Sequence, residues 1–359
     1  MSLHVNPLVA CPALQGMLDQ YYQVNPSEPT PLTTFLNSDI NLQGIRFVPS
    51  NVAPGNGKVR KVTLVYTPRI TESNLSTTLT TDCTGGAAPM QTSHDYEIDT
   101  ETGVQYAETF NIRDLAVACQ DNQGYIASRV AAMMDACRRT METELTTALA
   151  LPNQMGLFAK TDDVGTLVSS DRKIKSVKTT YSDGRFNEDA LSQIYYSTRQ
   201  AVFNGSPFIF GTGTIEKYFQ ALKAPANTYW GLNLGEFAGS NYVFMPSYRI
   251  GDAFNDGDTE KFIALDTNAY FILQYNKFEG LEGLNDLSAS NAGLVQGIIE
   301  DPITGVRYNY KFVYSPCGEF CNIFISTAFK LASVPDDMYS STDRLQGVKG
   351  SLTFQISNS

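Results

Sequence analysis

The chain has 359 residues, 42% of them hydrophobic, with 20 Phe, 19 Tyr and one Trp, a composition that fits a folded protein and excludes a disordered one. Its formal net charge of −11, with 26 Lys and Arg scattered rather than blocked, excludes a surface that grips phosphate backbones. An acidic wall that confines a polyanion without adhering to it is still allowed.

No apolar run approaches the roughly 18 to 20 residues that cross a bilayer, so no membrane segment is expected. The first thirteen residues lack a basic stretch followed by a continuous apolar one, so export by a signal peptide is not expected either. Cys11, Cys83, Cys119, Cys137, Cys317 and Cys321 then read as reduced thiols made in a cytoplasm. The length suits two or three sub-domains on one framework.

Residues 1–57 are rich in proline and read as an extended arm, interrupted between Pro12 and Val24 by a short amphipathic helix on Leu14, Met17, Leu18 and Tyr21. Strand periodicity begins near Lys58 with Val62, Leu64 and Tyr66. It returns at Val104, Tyr106, Phe110 and Ile112, where Glu108 interrupts the apolar face. The Thr- and Ser-rich stretch between these strands is long for a compact domain, and it is expected to be ordered by a neighbouring subunit.

The clearest helix spans 121–149, with Asp121 or Asn122 as N-cap and Pro152 beyond its end. Ile126, Val130, Met133, Met134, Cys137, Met141, Leu145 and Leu149 form its apolar stripe. At about 1.5 Å per residue it would run roughly 40 Å, long enough to brace a flat subunit.

Residues 160–182 are polar and suit short strands or an exposed connection. A helix is expected from Asn187, burying Leu191, Ile194, Tyr195, Thr198 and Val202. A strand at 207–210 leads into a helix carrying Ile215, Tyr218, Phe219 and Leu222. Strands follow at 242–245, 262–265 and 269–275. In the antiparallel pair that follows, Tyr308, Tyr310, Phe312 and Tyr314 share one face of the first strand, while Ile323, Ile325 and Thr327 stand opposite Phe324, Ala328 and Ser326 on the second, with a turn at Pro316–Gly318. The tail after Pro335 ends in a strand.

No catalytic, cofactor-binding or metal-binding residue is expected. His4 and His94 fall in segments expected to be flexible, Cys317 and Cys321 have no second pair to complete a zinc site, and a packed or turn role suits both thiols. Gly211–Thr214 lies between a strand and a helix but lacks the P-loop lysine, so it reads as a cap. Asp252, Asp256, Asp258 and Glu260 depart from calcium-loop spacing and read as a solvated turn. The strand aromatics lack interleaved Arg and Lys and suit a core or a subunit interface better than a base-stacking surface.

Arm, long hairpin, long helix, α/β lobe and returning antiparallel pair, in that order, resemble the α+β Hong Kong 97-type fold of tailed-bacteriophage major capsid proteins. The closing segment from Val313 to Ile356 also resembles the end of some of these proteins. The resemblance implies an N-arm at 1–57, an E-loop β-hairpin at 58–115, and a P-domain at 116–184 and 306–359 containing a spine helix at 121–149. An A-domain would occupy 185–305.

It further implies a non-enzymatic shell protein of the virion, made in the host bacterial cytoplasm and needing no cofactor. Hexamers and pentamers of the chain would enclose double-stranded DNA without sequence-specific binding, with residues 71–102 adapting to local geometry. Partners would be a separate scaffolding protein, a portal and a decoration protein. Three alternatives share part of the pattern: a tail, baseplate or receptor-binding structural protein, an encapsulin-like shell, and a hydrolase whose carboxylates pair only in the fold.

Overall fold

The computed structural model describes residues 11–25, 27–38, 46–49, 59–68, 91–111, 122–150, 175–178, 198, 203, 207–212, 243–247, 249–250, 259–277, 294–314, 320–335 and 350–357. The chain is a mixed α and β protein. Its centre is a 29-residue helix, Asn122–Ala150, close to the span expected from sequence; it is α3, after α1 (Cys11–Val24) and α2 (Pro31–Leu36) in the arm.

All eight residues of the expected stripe on α3 are buried, and burial of each large apolar side chain contributes about 1.5–3 kcal/mol relative to exposure. Ala, Met, Leu, Arg and Glu supply good helix formers, whereas the threonines of the second half would otherwise compete for backbone bonds. They are quieted locally: the hydroxyls of Thr140, Thr143, Thr146 and Thr147 each donate to the carbonyl four residues earlier, at 2.7–3.1 Å.

The long helix lies on a central sheet built from β4 (Gly103–Asn111), β9 (Tyr270–Tyr275), β10 (Leu294–Glu300), β11 (Arg307–Tyr314) and β12 (Phe320–Ser333). Its order is β10-β11-β12-β4, all antiparallel. Ala328 pairs with Gly103 on one side and Tyr275 on the other, so β9 extends the edge of β12 beyond β11. The alternation of β11 and β12 buries Tyr308, Tyr310 and Phe312 with Cys321, Ile323, Ile325 and Thr327, the faces expected from sequence. Gly297 stands opposite Tyr310, whose ring leaves no room for a side chain: a Cβ there would sit 2.7 Å from the phenol oxygen.

A lateral sheet has the order β5-β13-β8-β6-β7, where β5 is Lys175–Lys178, β6 Phe208–Gly211, β7 Val243–Pro246, β8 Thr259–Leu265 and β13 Ser351–Ser357. The β5–β13 and β6–β7 pairs are parallel, the others antiparallel. Strand β8 runs into β9 through Asp266–Ala269, where Asn268 takes a φ of 63°, so one tight turn carries the chain from the lateral to the central sheet. Asn is among the few residues that adopt this conformation readily.

A third sheet contains β1 (Arg46–Pro49), β2 (Val59–Tyr66) and β3 (Thr92–Asp99), antiparallel throughout. This corrects the expected hairpin. Strand β2 pairs with β3, while β4 joins the central sheet beside β12. The stretch expected to await a neighbour therefore contains a strand, and His94 lies on it, exposed, rather than in a flexible segment. The segment read as extended arm likewise contains helix α2. The helix expected from Asn187 and the one carrying Ile215, Tyr218, Phe219 and Leu222 lie outside the described residues, save that Thr198 is helical and buried.

Candidate functional site

The stripe of α3 carries two charges: Arg138 and Glu142, four residues apart, are both fully buried. An isolated buried charge is very costly, so each must be neutralised or hydrogen-bonded in place. Both are, and their partners come from distant segments.

Arg138 donates through Nη1 to both oxygens of Asp301, at 3.2 and 3.1 Å, and through Nη2 to Asp135 one turn earlier on its own helix. Asp301 is fully buried and also organises the β10–β11 turn, accepting from the Ile303 amide at 3.0 Å and the Thr304 hydroxyl at 2.7 Å. Gly305, at φ +67°, closes that turn with its amide on the Asp301 carbonyl at 2.8 Å. The Tyr22 hydroxyl of α1 lies 3.0 Å from Asp135 and 3.1 Å from the Ala131 carbonyl, and the Tyr22 ring lies under the guanidinium at 5.7 Å. One guanidinium thus ties together helix, arm and sheet turn.

Glu142 does the same a turn further on. Its Oε1 accepts from the Leu32 amide at 3.0 Å and the Ser247 hydroxyl at 2.9 Å; its Oε2 accepts from the Thr33 amide and hydroxyl, both at 2.7 Å. Leu32 and Thr33 are in the first turn of α2, whose N-terminal amides have no partner within the helix. Pro31 opens α2, where a missing N–H costs nothing, and Thr30 makes no side-chain cap. The carboxylate from α3 takes that place.

Around these two groups, Glu28 receives both arms of Arg249 at 2.9 and 3.0 Å and lies 3.8 Å from Arg139. The side-chain amide of Gln15 pairs with the backbone of Glu300 in both directions, at 2.9 and 3.1 Å, so α1 caps the end of strand β10. Glu108, which interrupts the face of β4, pairs with Arg129 of α3.

The electrostatics follow from burial. Burial pushes the Asp135 and Glu142 carboxyls above the usual carboxylate range, against Arg138 for the first and the donated hydrogen bonds for the second. Burial acts against the Arg138 charge, but Asp301 and Asp135 outweigh it and the net direction is upward. The Tyr22 and Tyr308 hydroxyls are pushed up by burial and by neighbouring aspartates, and the Cys137 thiol by burial to about 12. That thiol is an inert packing group at neutral pH.

Each oxygen of Glu142 and Asp301 is occupied by donors of the same chain. Such carboxylates fasten segments together; they do not present a free oxygen to a substrate. Cys321 is buried on β12, and among the described residues no three His, Cys, Asp or Glu side chains gather as a metal site. Gly211 ends β6 and its carbonyl accepts the Ser247 amide at 2.8 Å. His4, Cys317, Asp252, Asp256 and Asp258 lie outside the described residues. Sequence reasoning missed Arg138 and Glu142, though their signal was present: two charges spaced four apart, continuing the row of Met134.

No protein-family profile and no curated protein matches the sequence. Among solved structures, the chain is similar to the capsid of Helicobacter pylori bacteriophage KHP30 at 8% identity and a TM-score of 0.43, covering 92% of each chain. It is similar to the capsid of Ralstonia phage GP4 at 10% identity and a TM-score of 0.43, covering 83% of this chain and 84% of that one. It is also similar to the SrpI encapsulin of Synechococcus elongatus at 10% identity and a TM-score of 0.39, covering 94% of each.

Proposed function

We propose that this protein is a shell-forming structural subunit, the major capsid protein of a tailed bacteriophage with the Hong Kong 97-type fold. The observation that carries the proposal is the use made of the buried charges on α3. They fasten an N-terminal arm, a sheet turn and a second sheet to a single brace, which is what a thin load-bearing plate needs and what a catalytic cleft does not. On this proposal α1, α2 and the segments around them are the N-arm, α3 is the spine helix, and the central sheet belongs to the P-domain. The E-loop is the β2–β3 hairpin, and the lateral sheet supports the A-domain.

Hexamers and pentamers of the chain close into an icosahedral head, with a scaffolding protein, a portal and a decoration protein as partners. The shell encloses double-stranded DNA, and a net charge of −11 suits a wall to which the packed polyanion does not stick.

Negative-stain electron microscopy of the purified protein, with its mass by size exclusion, tests this. Rings of five or six, tubes or closed shells are expected. A particle that stays monomeric as concentration rises, even with a co-expressed scaffold, overturns it. Shells that copurify with a packaged protein instead of DNA assign the chain to the encapsulin-like alternative.

A further inference from the structure

Helix α2 has only six residues, yet it and the residues flanking it touch the long helix, the lateral sheet and the central sheet. Its first turn is held by Glu142 of the long helix. Its Phe35 ring packs on Phe208 at 4.3 Å and Phe210 at 5.4 Å, both on β6 of the lateral sheet. Asn37, which follows it, donates to the Thr304 carbonyl of the β10–β11 turn at 2.9 Å and receives Gln274 of β9 at 3.5 Å. Glu28, which precedes it, bridges Arg249 and Arg139.

Among the described residues the chain passes directly from the lateral to the central sheet at the tight turn Asp266–Ala269. That turn is anchored on both sides: the Asp266 amide donates to the Gly350 carbonyl at 2.8 Å, and the Val334 amide to the Ala269 carbonyl at 3.0 Å. A short turn between two sheets is where the angle between them is set, and a small rigid element packed beside it constrains that angle. Glu142 couples this element to what lies on either side of it. One carboxylate serves the arm through Thr33 and the lateral sheet side through Ser247, so loosening one grip removes a ligand from the site that orients the other.

We propose that α2 is a strap that sets the angle between the lateral sheet and the platform of α3 and the central sheet, with Glu142 as its fastening point. Resting on the shell assignment above, seating or unseating of residues 27–38 changes the curvature at which one copy meets the next. Identical chains at five-fold and six-fold positions need such an adjustable angle.

Hydrogen exchange on the unassembled full-length subunit tests the strap without reference to shells. Thr33→Val touches only the arm, replacing the hydroxyl that donates to Glu142 by a methyl of similar size. Exchange is expected to rise about tenfold at the Leu32 and Thr33 amides and severalfold in β7 and at Ser247, while β11 and β12 stay unchanged. Glu142→Gln, which keeps side-chain shape, is expected to raise both regions further. Faster exchange in α2 with β7 at its wild-type rate in both variants overturns the strap. Should either variant fail to fold, Arg249→Gln, at a half-exposed ion pair, is expected to give the same paired rise in smaller measure, and a rise at one end alone overturns the proposal. Absence of shells from the wild-type chain would sink the shell assignment and leave the exchange result to decide the strap. Where shells form, Thr33→Val is expected to broaden their diameters under the electron microscope.

Discussion

The junction on α3 and the three-stranded sheet of β1, β2 and β3 are held by opposite means. At the junction, the buried charges of α3 and of the β10–β11 turn are paired with each other or with groups from α1, α2 and the end of β7, and Arg138, Glu142 and Asp301 have no exposure to water. The hairpin sheet rests on the core by one face. The Tyr96 ring meets Phe271 edge-on at 5.4 Å, its hydroxyl donates to the Ser333 carbonyl at 2.8 Å, and Leu64, Tyr66 and Ile98 are buried with it. The opposite face is polar and half open, carrying the Thr63–Asp95 bond at 2.7 Å and the exposed Lys61–Glu97 pair at 3.4 Å. Exposed ion pairs contribute about 0–1 kcal/mol. The charged centre of the first region is fully buried; the second is buried on one face only.

Arg138→Ala should break the junction with the largest effect. It leaves Asp301 and Asp135 facing each other without their cation, and loss of one partner of a buried pair costs about 3–5 kcal/mol. The urea unfolding midpoint is expected to fall accordingly, with α1 and the β10–β11 turn exchanging first. A loss below about 1 kcal/mol would show that water already reaches the two aspartates.

Tyr96→Ala sharpens the contrast from the other side. Truncating a buried aromatic costs about 3 kcal/mol in a closed core, but here the loss should stay local. Exchange in β2 and β3 is expected to rise strongly, while the global unfolding midpoint moves much less than for Arg138→Ala. Equal shifts for the two variants would mean that the hairpin sheet and the junction unfold as one unit.

Legibility from sequence follows the same division. The eight apolar residues of α3 repeat at three and four over a long span, so both helix and buried face could be read. The aromatic alternation of β11 and β12 was equally plain. Helix α2 was hidden because six residues give no period and because its cap is supplied from more than a hundred positions away. Strand β3 was hidden because Thr92–Asp99 offers only Tyr96 and Ile98 as apolar residues, the rest facing water. The partner of β2 was misassigned for the same reason: Val104 and Phe110 gave β4 the stronger signal, although its place is in the central sheet. Arg138 and Glu142 were passed over because a charge on an apolar stripe can be understood only with its partners, and those lie on other elements.

The smallest predicted effect separates two tyrosines of one cluster. Tyr22 and Tyr308 both sit beside Arg138 and the aspartates, and burial pushes both hydroxyls up. Tyr22 has acceptors at 3.0 and 3.1 Å, whereas the Tyr308 hydroxyl, fully buried, has no hydrogen-bond partner among the described residues. Removing a satisfied hydroxyl forfeits a bond to a charged group, worth about 1.5–3 kcal/mol, while removing an unsatisfied one relieves a desolvation cost. Tyr22→Phe should therefore lower the calorimetric midpoint, and Tyr308→Phe should leave it unchanged or raise it by an amount corresponding to about 1 kcal/mol. Opposite signs from the same chemical change, on side chains around one guanidinium, would establish that the junction is held by particular donor and acceptor pairs. Equal losses would mean instead that general polarity in the cluster carries its stability.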